Sequence, residues 1–326
     1  MPHATPASSA ADILVTAPMP RIAEEAVRPH RLHRLWEAPD RAALLREIGP
    51  RVRGLAAGGT VGIDRAMLDA LPALEVVANF GVGYDRVDVE AARARGLVVT
   101  NTPDVLTEEV ADLTIGLLLA TLRRLPQADR FVREGRWLGG SFPLSPSLRD
   151  RTVGILGLGR IGKAIAHRLE AFGVPLAYHG RRPQAGVPYA YHPSLLDLAR
   201  AVDTLILIAP GGAETDGLVG AEVLAALGPR GVLVNVARGT LVDEPALIQA
   251  LQDGTILAAG LDVFRDEPRV PAELVSLDNV VLLPHVGSAS THTRDLMGQL
   301  VLDNLLAWFD GRGPLTPVPE TPWPPA

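Results

Sequence analysis

Three segments in the last third of the chain carry side chains of complementary chemistry: Arg238 in VNVARGTLVDEPAL, Glu267 in GLDVFRDEP and His285 in LLPHVGSAS. A guanidinium can hold a substrate carboxylate, an imidazole can give a proton to a developing alkoxide, and a carboxylate can orient and charge that imidazole. The set suits hydride transfer to a 2-keto acid. Each segment follows a run that reads as a strand, so the three can gather at one sheet edge, where α/β proteins bind ligands. Spacing alone leaves their convergence open, and a histidine taken singly is more often structural.

A second pattern is local. Gly157, Gly159 and Gly162 form G-x-G-x-x-G between the strand-like TVGIL and the helix-like KAIAHRL. The first glycine allows a tight turn, the second admits a pyrophosphate against the backbone, and the third lets helix meet strand. The helix N-terminus then faces the phosphate charge. A dinucleotide site follows, with Lys163 read as a solvated first-turn side chain. The next strand, VPLAYH, ends in His179, Gly180, Arg181 and Arg182 without an acidic residue. A carboxylate there would serve a ribose 2′-hydroxyl, whereas guanidinium groups bind a 2′-phosphate. This favours NADP(H) over NAD, although arginine is common in this chain.

These residues need elements to hold them. ADILVTAP, RVRGLAA, EVVANF and GLVVTN read as strands, separated by the helical DRAMLDAL and VDVEAARARG. Val105–Arg124 reads as a long, mostly apolar helix crossing between domains. A second series follows: TVGIL, a helix from Ile161, VPLAYH, a helix near Ser194–Ala201, DTLILIAP, VLVNVAR, a helix over Glu244–Asp253, ILAAGLDVF and NVVLLPH. A last helix is expected over Asp295–Phe309, then a proline-rich end read as an extended, loosely held strap. Alternation of this kind predicts an α/β protein with parallel sheets.

The 326 residues suggest about two domains at roughly 150 residues each, and 47% apolar content can fill their cores. The absence of cysteine excludes disulfides, thiolate metal sites and a cysteine nucleophile, and a single lysine leaves one candidate for Schiff-base chemistry. A net charge of −6 without a basic run disfavours nucleic acid and acidic membranes. The start lacks a signal-peptide pattern, and the apolar run Leu113–Leu122 is too short to span a bilayer. A cytoplasmic protein is expected. Asp262, Asp266 and Glu267 lie close in sequence but fit the DVFRDEP block, so no metal is expected. His167, His192 and His292 belong to no constellation.

From about Asp12 to Gly313 the chain resembles the D-isomer-specific 2-hydroxyacid dehydrogenases, more narrowly the glyoxylate/hydroxypyruvate reductases. The likeness rests on NFGVGYDRVDVEAARARGLVVTNTPDVLTEEVADL, ILGLGRIGKAIAHRL, VNVARGTLVDEPALIQAL, AAGLDVFRDEP and LLPHVGSAS. It implies two doubly wound parallel-sheet domains, a Rossmann nucleotide-binding domain (105–288) inserted into a flavodoxin-like substrate domain (1–104 and 289–326). It implies that Arg238 holds the substrate carboxylate and carbonyl, that His285 is the acid/base, and that Glu267 hydrogen-bonds this histidine. Val82 and Gly83 match the loop whose amides bind the substrate carboxylate. Asp262 resembles the residue near the nicotinamide carboxamide, and Arg160 and Ile161 match the turn over the pyrophosphate. Pro210, Val236 and Ala237 would line the dinucleotide path, and Thr107 would approach the cofactor. His179 stands where NAD-using members carry an acidic residue.

The expectation is therefore an NADPH-dependent reductase of small 2-keto acids, acting as a homodimer. Trp137 is either a substrate-side contact or dimer packing. Two alternatives stay open: a dehydrogenase of another 2-hydroxy acid, such as D-lactate or an aromatic analogue, and a dinucleotide-responsive corepressor-like binding protein.

Overall fold

A computed structural model describes residues 10–59 and 61–324. The chain divides into two compact units, Met1–Leu106 with Ser290–Ala326, and Thr107–Ala289. The second is thus inserted into the first along the sequence.

In the first unit, strands β1 (Asp12–Val15), β2 (Arg31–Arg34), β3 (Val52–Ala57), β4 (Val76–Asn79) and β5 (Val98–Thr100) form one parallel sheet in the order β2-β1-β3-β4-β5. This is the flavodoxin-like order. Helices α1 (Arg41–Ile48), α2 (Arg65–Asp69) and α3 (Val89–Ala94) connect the strands.

The second unit begins with α4 (Thr107–Arg123) and α5 (Leu125–Arg133). Its sheet holds β6 (Val153–Leu156), β7 (Leu176–His179), β8 (Ala190–His192), β9 (Thr204–Leu207), β10 (Val232–Asn235), β11 (Ala258–Leu261) and β12 (Val280–Leu282). Helices α6 (Arg160–Glu170), α7 (Leu195–Ala201), α8 (Ala221–Leu227), α9 (Glu244–Gln252) and α10 (Ala272–Val275) alternate with them. The order β12-β11-β10-β9-β6-β7-β8 is all parallel. Read from β8 it is the Rossmann order with one strand added. Helix α11 (Thr291–Phe309) then returns the chain to the first unit, packing on β3 and β4.

The inner strands β4, β6, β9, β10 and β11 are buried at every position. Parallel sheets covered by helices on both faces demand such continuous apolar runs, which is why these strands are legible. The edge strands β2 (RLHR) and β8 (AYH) are polar and part-exposed, so the apolar pattern passes over them. Asp40, Asp64, Asp88, Ser194, Asp243 and Ser290 cap helices through their side chains. The Ser290 cap starts α11 four residues before the position expected, because THTR lacks apolar periodicity.

Helix α4 lies wholly in the second unit, where it packs on α6 and β11. Close approach to β11 is possible because residue 260 is glycine: a Cβ there would lie 2.4 Å from Thr121 Oγ1. The C-terminal end is extended, as expected, but it is firmly tied. Val318 N–H donates to the Val99 carbonyl at 2.9 Å, and Val99 N–H donates to Thr321 Oγ1 at 2.9 Å. Val318 is buried. The strap covers the open edge of β5, a site that would otherwise invite a foreign strand. Among the described residues, no helix is long and apolar enough to cross a membrane.

Candidate active site

Most of the expected site residues of the second unit lie at or just beyond the C-terminal ends of its strands. Gly157, Gly159 and Gly162 follow β6; His179 ends β7, with Gly180, Arg181 and Arg182 after it; Pro210 follows β9. Val236, Ala237 and Arg238 follow β10, Asp262 and Glu267 follow β11, and His285 follows β12. Strand order sorts them. Arg238, Glu267 and His285 sit on three neighbouring strands, and the arginine pair lies beyond β6. At about 4.8 Å per strand, β12 and β7 stand roughly 24 Å apart.

The glycine loop occupies the switch between β6 and β9, where the chain order reverses. Gly157 has φ +96°, and a Cβ on it would lie 2.8 Å from Ala209 N. A Cβ on Gly162 would lie 2.2 Å from the Gly157 carbonyl oxygen. Gly159 is different: nothing stands within 4 Å of its Cβ position, and it begins α6 without a side-chain cap. The first amides of α6 are therefore available to an anion at the positive end of the helix dipole. Arg160 is exposed and Ile161 half-buried in the first turn, and Lys163 is exposed.

At the end of β7, Nδ1 of His179 lies 2.9 Å from the His192 carbonyl, which fixes its proton on that nitrogen. Gly157 N–H donates to the His179 carbonyl at 2.9 Å, joining this strand end to the glycine loop. Gln184 donates from Nε2 to the Leu158 carbonyl and from its backbone to Tyr178 Oη, both at 2.8 Å. Arg181 and Arg182 are exposed, and neither has an ion pair or hydrogen bond among the described residues.

His285 Nδ1 lies 2.9 Å from Glu267 Oε2. The carboxylate accepts the proton of Nδ1, leaving Nε2 for chemistry. Oε1 of Glu267 accepts the Phe264 N–H at 3.1 Å. His285 adopts φ +54°, an uncommon conformation for a side-chain-bearing residue, and its N–H donates to the Asp262 carbonyl at 2.8 Å. The Asp262 carboxylate is buried and accepts the N–H groups of Val286 and Gly287, each at 2.7 Å. Burial pushes its pKa up, although these two amides pull the other way. Asp262, expected from the resemblance beside the nicotinamide, thus also ties the His285 loop to the end of β11.

Arg238 begins a short 3-10 turn, and its Nη1 donates to the Ala237 carbonyl at 2.8 Å. Val236 and Ala237 are buried. Two residues unnoticed in the sequence hold this corner. Asn235, the polar terminus of β10, donates from Nδ2 to the Arg238 carbonyl at 2.9 Å and accepts the Ala237 N–H at 3.1 Å. Buried Glu244 accepts the Arg265 N–H at 2.6 Å. A lone amide closing an apolar strand was the available signal for Asn235; Glu244 offered none. Gly239 is dictated by contact, since a Cβ would fall on the Phe264 carbonyl group.

Thr107 opens α4, half-buried, and Trp137 is exposed on a short 3-10 turn at Arg136–Gly139. In the first unit, Val82 and Gly83 follow β4 in a half-buried loop, and their N–H groups have no partner among the described residues.

Residues 115–287 match the family of the D-isomer specific 2-hydroxyacid dehydrogenase NAD binding domain. The chain is 46% identical to a glyoxylate/hydroxypyruvate reductase A of Arabidopsis thaliana, over 94% of this chain and 98% of that protein. It is 45% identical to a hydroxyphenylpyruvate reductase of Plectranthus scutellarioides, with the same shares covered. Among solved structures it resembles an NADPH-dependent glyoxylate/hydroxypyruvate reductase of Sinorhizobium meliloti, crystallised with NADP and malonate. There the TM-score is 0.90 and the identity 57%, covering 96% of this chain and 98% of that one.

Proposed function

This chain belongs to the D-isomer-specific 2-hydroxyacid dehydrogenases, and on that premise we propose that it reduces small 2-keto acids, glyoxylate and hydroxypyruvate foremost, to D-2-hydroxy acids with NADPH. The observation that carries the reading is the Glu267-held imidazole of His285, on the same sheet edge as Arg238 and the open α6 N-terminus. A nicotinamide dinucleotide supplies the hydride when bound. Protonated His285 would give its Nε2 proton to the substrate oxygen as the keto carbon becomes tetrahedral, with Glu267 holding the imidazole in orientation through Nδ1. Arg238 draws the carboxylate and polarises the carbonyl. The N–H groups of Val82 and Gly83, without a partner among the described residues, suit a carboxylate.

The preference for NADPH is supported by Arg181 and Arg182, two guanidinium groups without a partner among the described residues, at a strand end whose sequence offers no carboxylate to repel a 2′-phosphate. We infer a homodimer as well: α5 and the segment after it expose Leu125, Val132, Trp137, Leu138 and Leu144, more apolar surface than a short segment ordinarily shows to water.

A panel of glyoxylate, hydroxypyruvate, pyruvate and hydroxyphenylpyruvate, each with NADPH and NADH, tests the reading. We expect kcat/KM to be highest for the two small acids with NADPH. The double variant Arg181→Ala/Arg182→Ala should lose about tenfold or more with NADPH and little with NADH, since only the former carries the phosphate those charged hydrogen bonds would hold. A wild-type preference for NADH overturns the cofactor reading. NADPH binding without turnover on any acid favours a binding protein.

A further inference from the structure

The loop after β4 is clamped by its carbonyl groups. Gly81 O accepts from Asn79 Nδ2 at 3.1 Å and from Thr102 N–H at 2.9 Å. Val82 O accepts from Asn101 Nδ2 at 2.9 Å, and Gly83 O accepts from Asn79 Nδ2 at 3.1 Å. Each carbonyl shares a planar trans peptide with the next residue's N–H, and the two point in opposite directions. Drawing three consecutive carbonyls toward Asn79, Thr102 and Asn101 therefore turns the N–H groups of Val82, Gly83 and Tyr84 the other way. None of these three amides has a partner among the described residues. A row of unpaired amides is a fixed positive concavity suited to a carboxylate.

The clamp reaches into the C-terminal strap. Thr316 Oγ1 donates to the Asn101 carbonyl at 2.7 Å, and Asn101 N–H donates to the Thr316 carbonyl at 3.2 Å. Thr316 is held in turn by Asn304, fully buried in α11, which donates to Thr316 Oγ1 at 3.0 Å and accepts the Thr316 N–H at 3.0 Å. Further along the strap, Glu320 accepts from Tyr84 Oη at 3.1 Å. Covering the edge of β5 requires only the antiparallel bridge of Thr100 with Pro317, made by the Val318 and Asn101 N–H groups, and the bond to Thr321. The side-chain contacts from Thr316 to the Asn101 carbonyl and from Tyr84 to Glu320 are additional.

We propose that Asn101 and Thr316 are positioning residues for the substrate carboxylate, and that the C-terminal strap is a working part of the substrate loop. Asn79 clamps the flanking carbonyls, and Asn304 fixes Thr316. The inference rests on the reading that the amides of Val82 and Gly83 receive the carboxylate. It extends the receiving set to the Tyr84 N–H and assigns the orientation of all three to side chains that never touch substrate.

The test compares wild type with Asn101→Ala, Thr316→Val and Thr316→Ser. The readouts are kcat and KM for hydroxypyruvate, KM for NADPH, the Kd of malonate in the presence of NADPH, and Tm. Losing one clamping hydrogen bond should raise the hydroxypyruvate KM and the malonate Kd together, by about three- to tenfold. The NADPH KM should hold, kcat should fall much less, and Thr316→Ser should restore wild-type values. A Tm drop with unchanged KM and Kd in the first two variants overturns the proposal, leaving them structural only. If Thr316→Val does not fold, Tyr84→Phe reads the same quantity by removing one exposed hydrogen bond. Failure of the reductase reading is separately visible as wild type that turns over no keto acid, and the malonate Kd then decides alone. Wild type that binds no malonate removes the amide row as an anion site and overturns the proposal too.

Discussion

At the scale of single residues, the decisive feature is that His285 commits Nδ1 to Glu267, so that Nε2 is the nitrogen the proposed proton transfer would use. His285→Ala should therefore lower kcat by about 10²–10⁴-fold, the usual worth of a general acid, with NADPH affinity by fluorescence titration unchanged. Equal turnover in that variant would sink the assignment. Glu267→Gln should fall between wild type and His285→Ala, because the amide can still accept the Phe264 N–H but cannot hold a charged imidazole. The types of Arg238, Glu267 and His285 were legible in the sequence. That they sit together was not: it depends on β10, β11 and β12 being neighbours, and strand order is a property of the assembled sheet. Asn79 and Asn101 were invisible for a related reason. Each acts on backbone carbonyls that only the folded loops bring within reach.

At the scale of elements, two glycines of one motif should behave oppositely. Gly162→Ala forces a methyl against the Gly157 carbonyl and should cost about 1–3 kcal/mol of stability, read as a lower Tm. Gly159→Ala meets no protein atom, so Tm should hold while NADPH binding weakens, the methyl intruding where the phosphate approaches. Equal effects on Tm would show that the motif is structural throughout. Strand ends elsewhere carry a pH dependence. His30, just before β2, accepts the Ala11 N–H on Nδ1 and stacks 4.7 Å from the Phe309 ring. Burial holds its pKa below the usual value, with Arg53 adding to this and Asp310 opposing. The unfolded chain then takes up the proton first. Stability contributed by neutral His30 should be complete above about pH 6.5 and be lost as the pH falls below that. In His30→Asn, whose amide oxygen can still accept the Ala11 N–H, a Tm series should lose that part of the acid slope. An identical slope in both proteins excludes His30 as its source.

At the scale of the whole molecule, the open question of assembly attaches to one segment. Leu138 and Leu144 are almost fully exposed and Trp137 is two-thirds exposed. Replacing Leu138 and Leu144 with Glu should convert a dimer of wild-type chains to single chains in sedimentation equilibrium, with each unit still folded by circular dichroism. A wild-type protein sedimenting as one chain rejects the dimer. Of this segment the sequence reading singled out Trp137 alone; α5 and the exposed Leu138 and Leu144 after it carry no motif, and their exposure is a property of the folded chain.

The sequence by itself determined the parallel α/β class, the dinucleotide turn and the family, since each rests on local signals: buried strands are continuously apolar, and a phosphate turn admits only glycine at fixed steps. Tertiary structure decided the rest. It alone fixed the order of strands that places Arg238, Glu267 and His285 on neighbouring strands, the lack of a partner for Arg181 and Arg182 among the described residues, and the tethering of the C-terminal strap to β5. Those outcomes depend on contacts between residues far apart in the chain, and no local pattern of residue types encodes which distant partner a hydrogen bond will find.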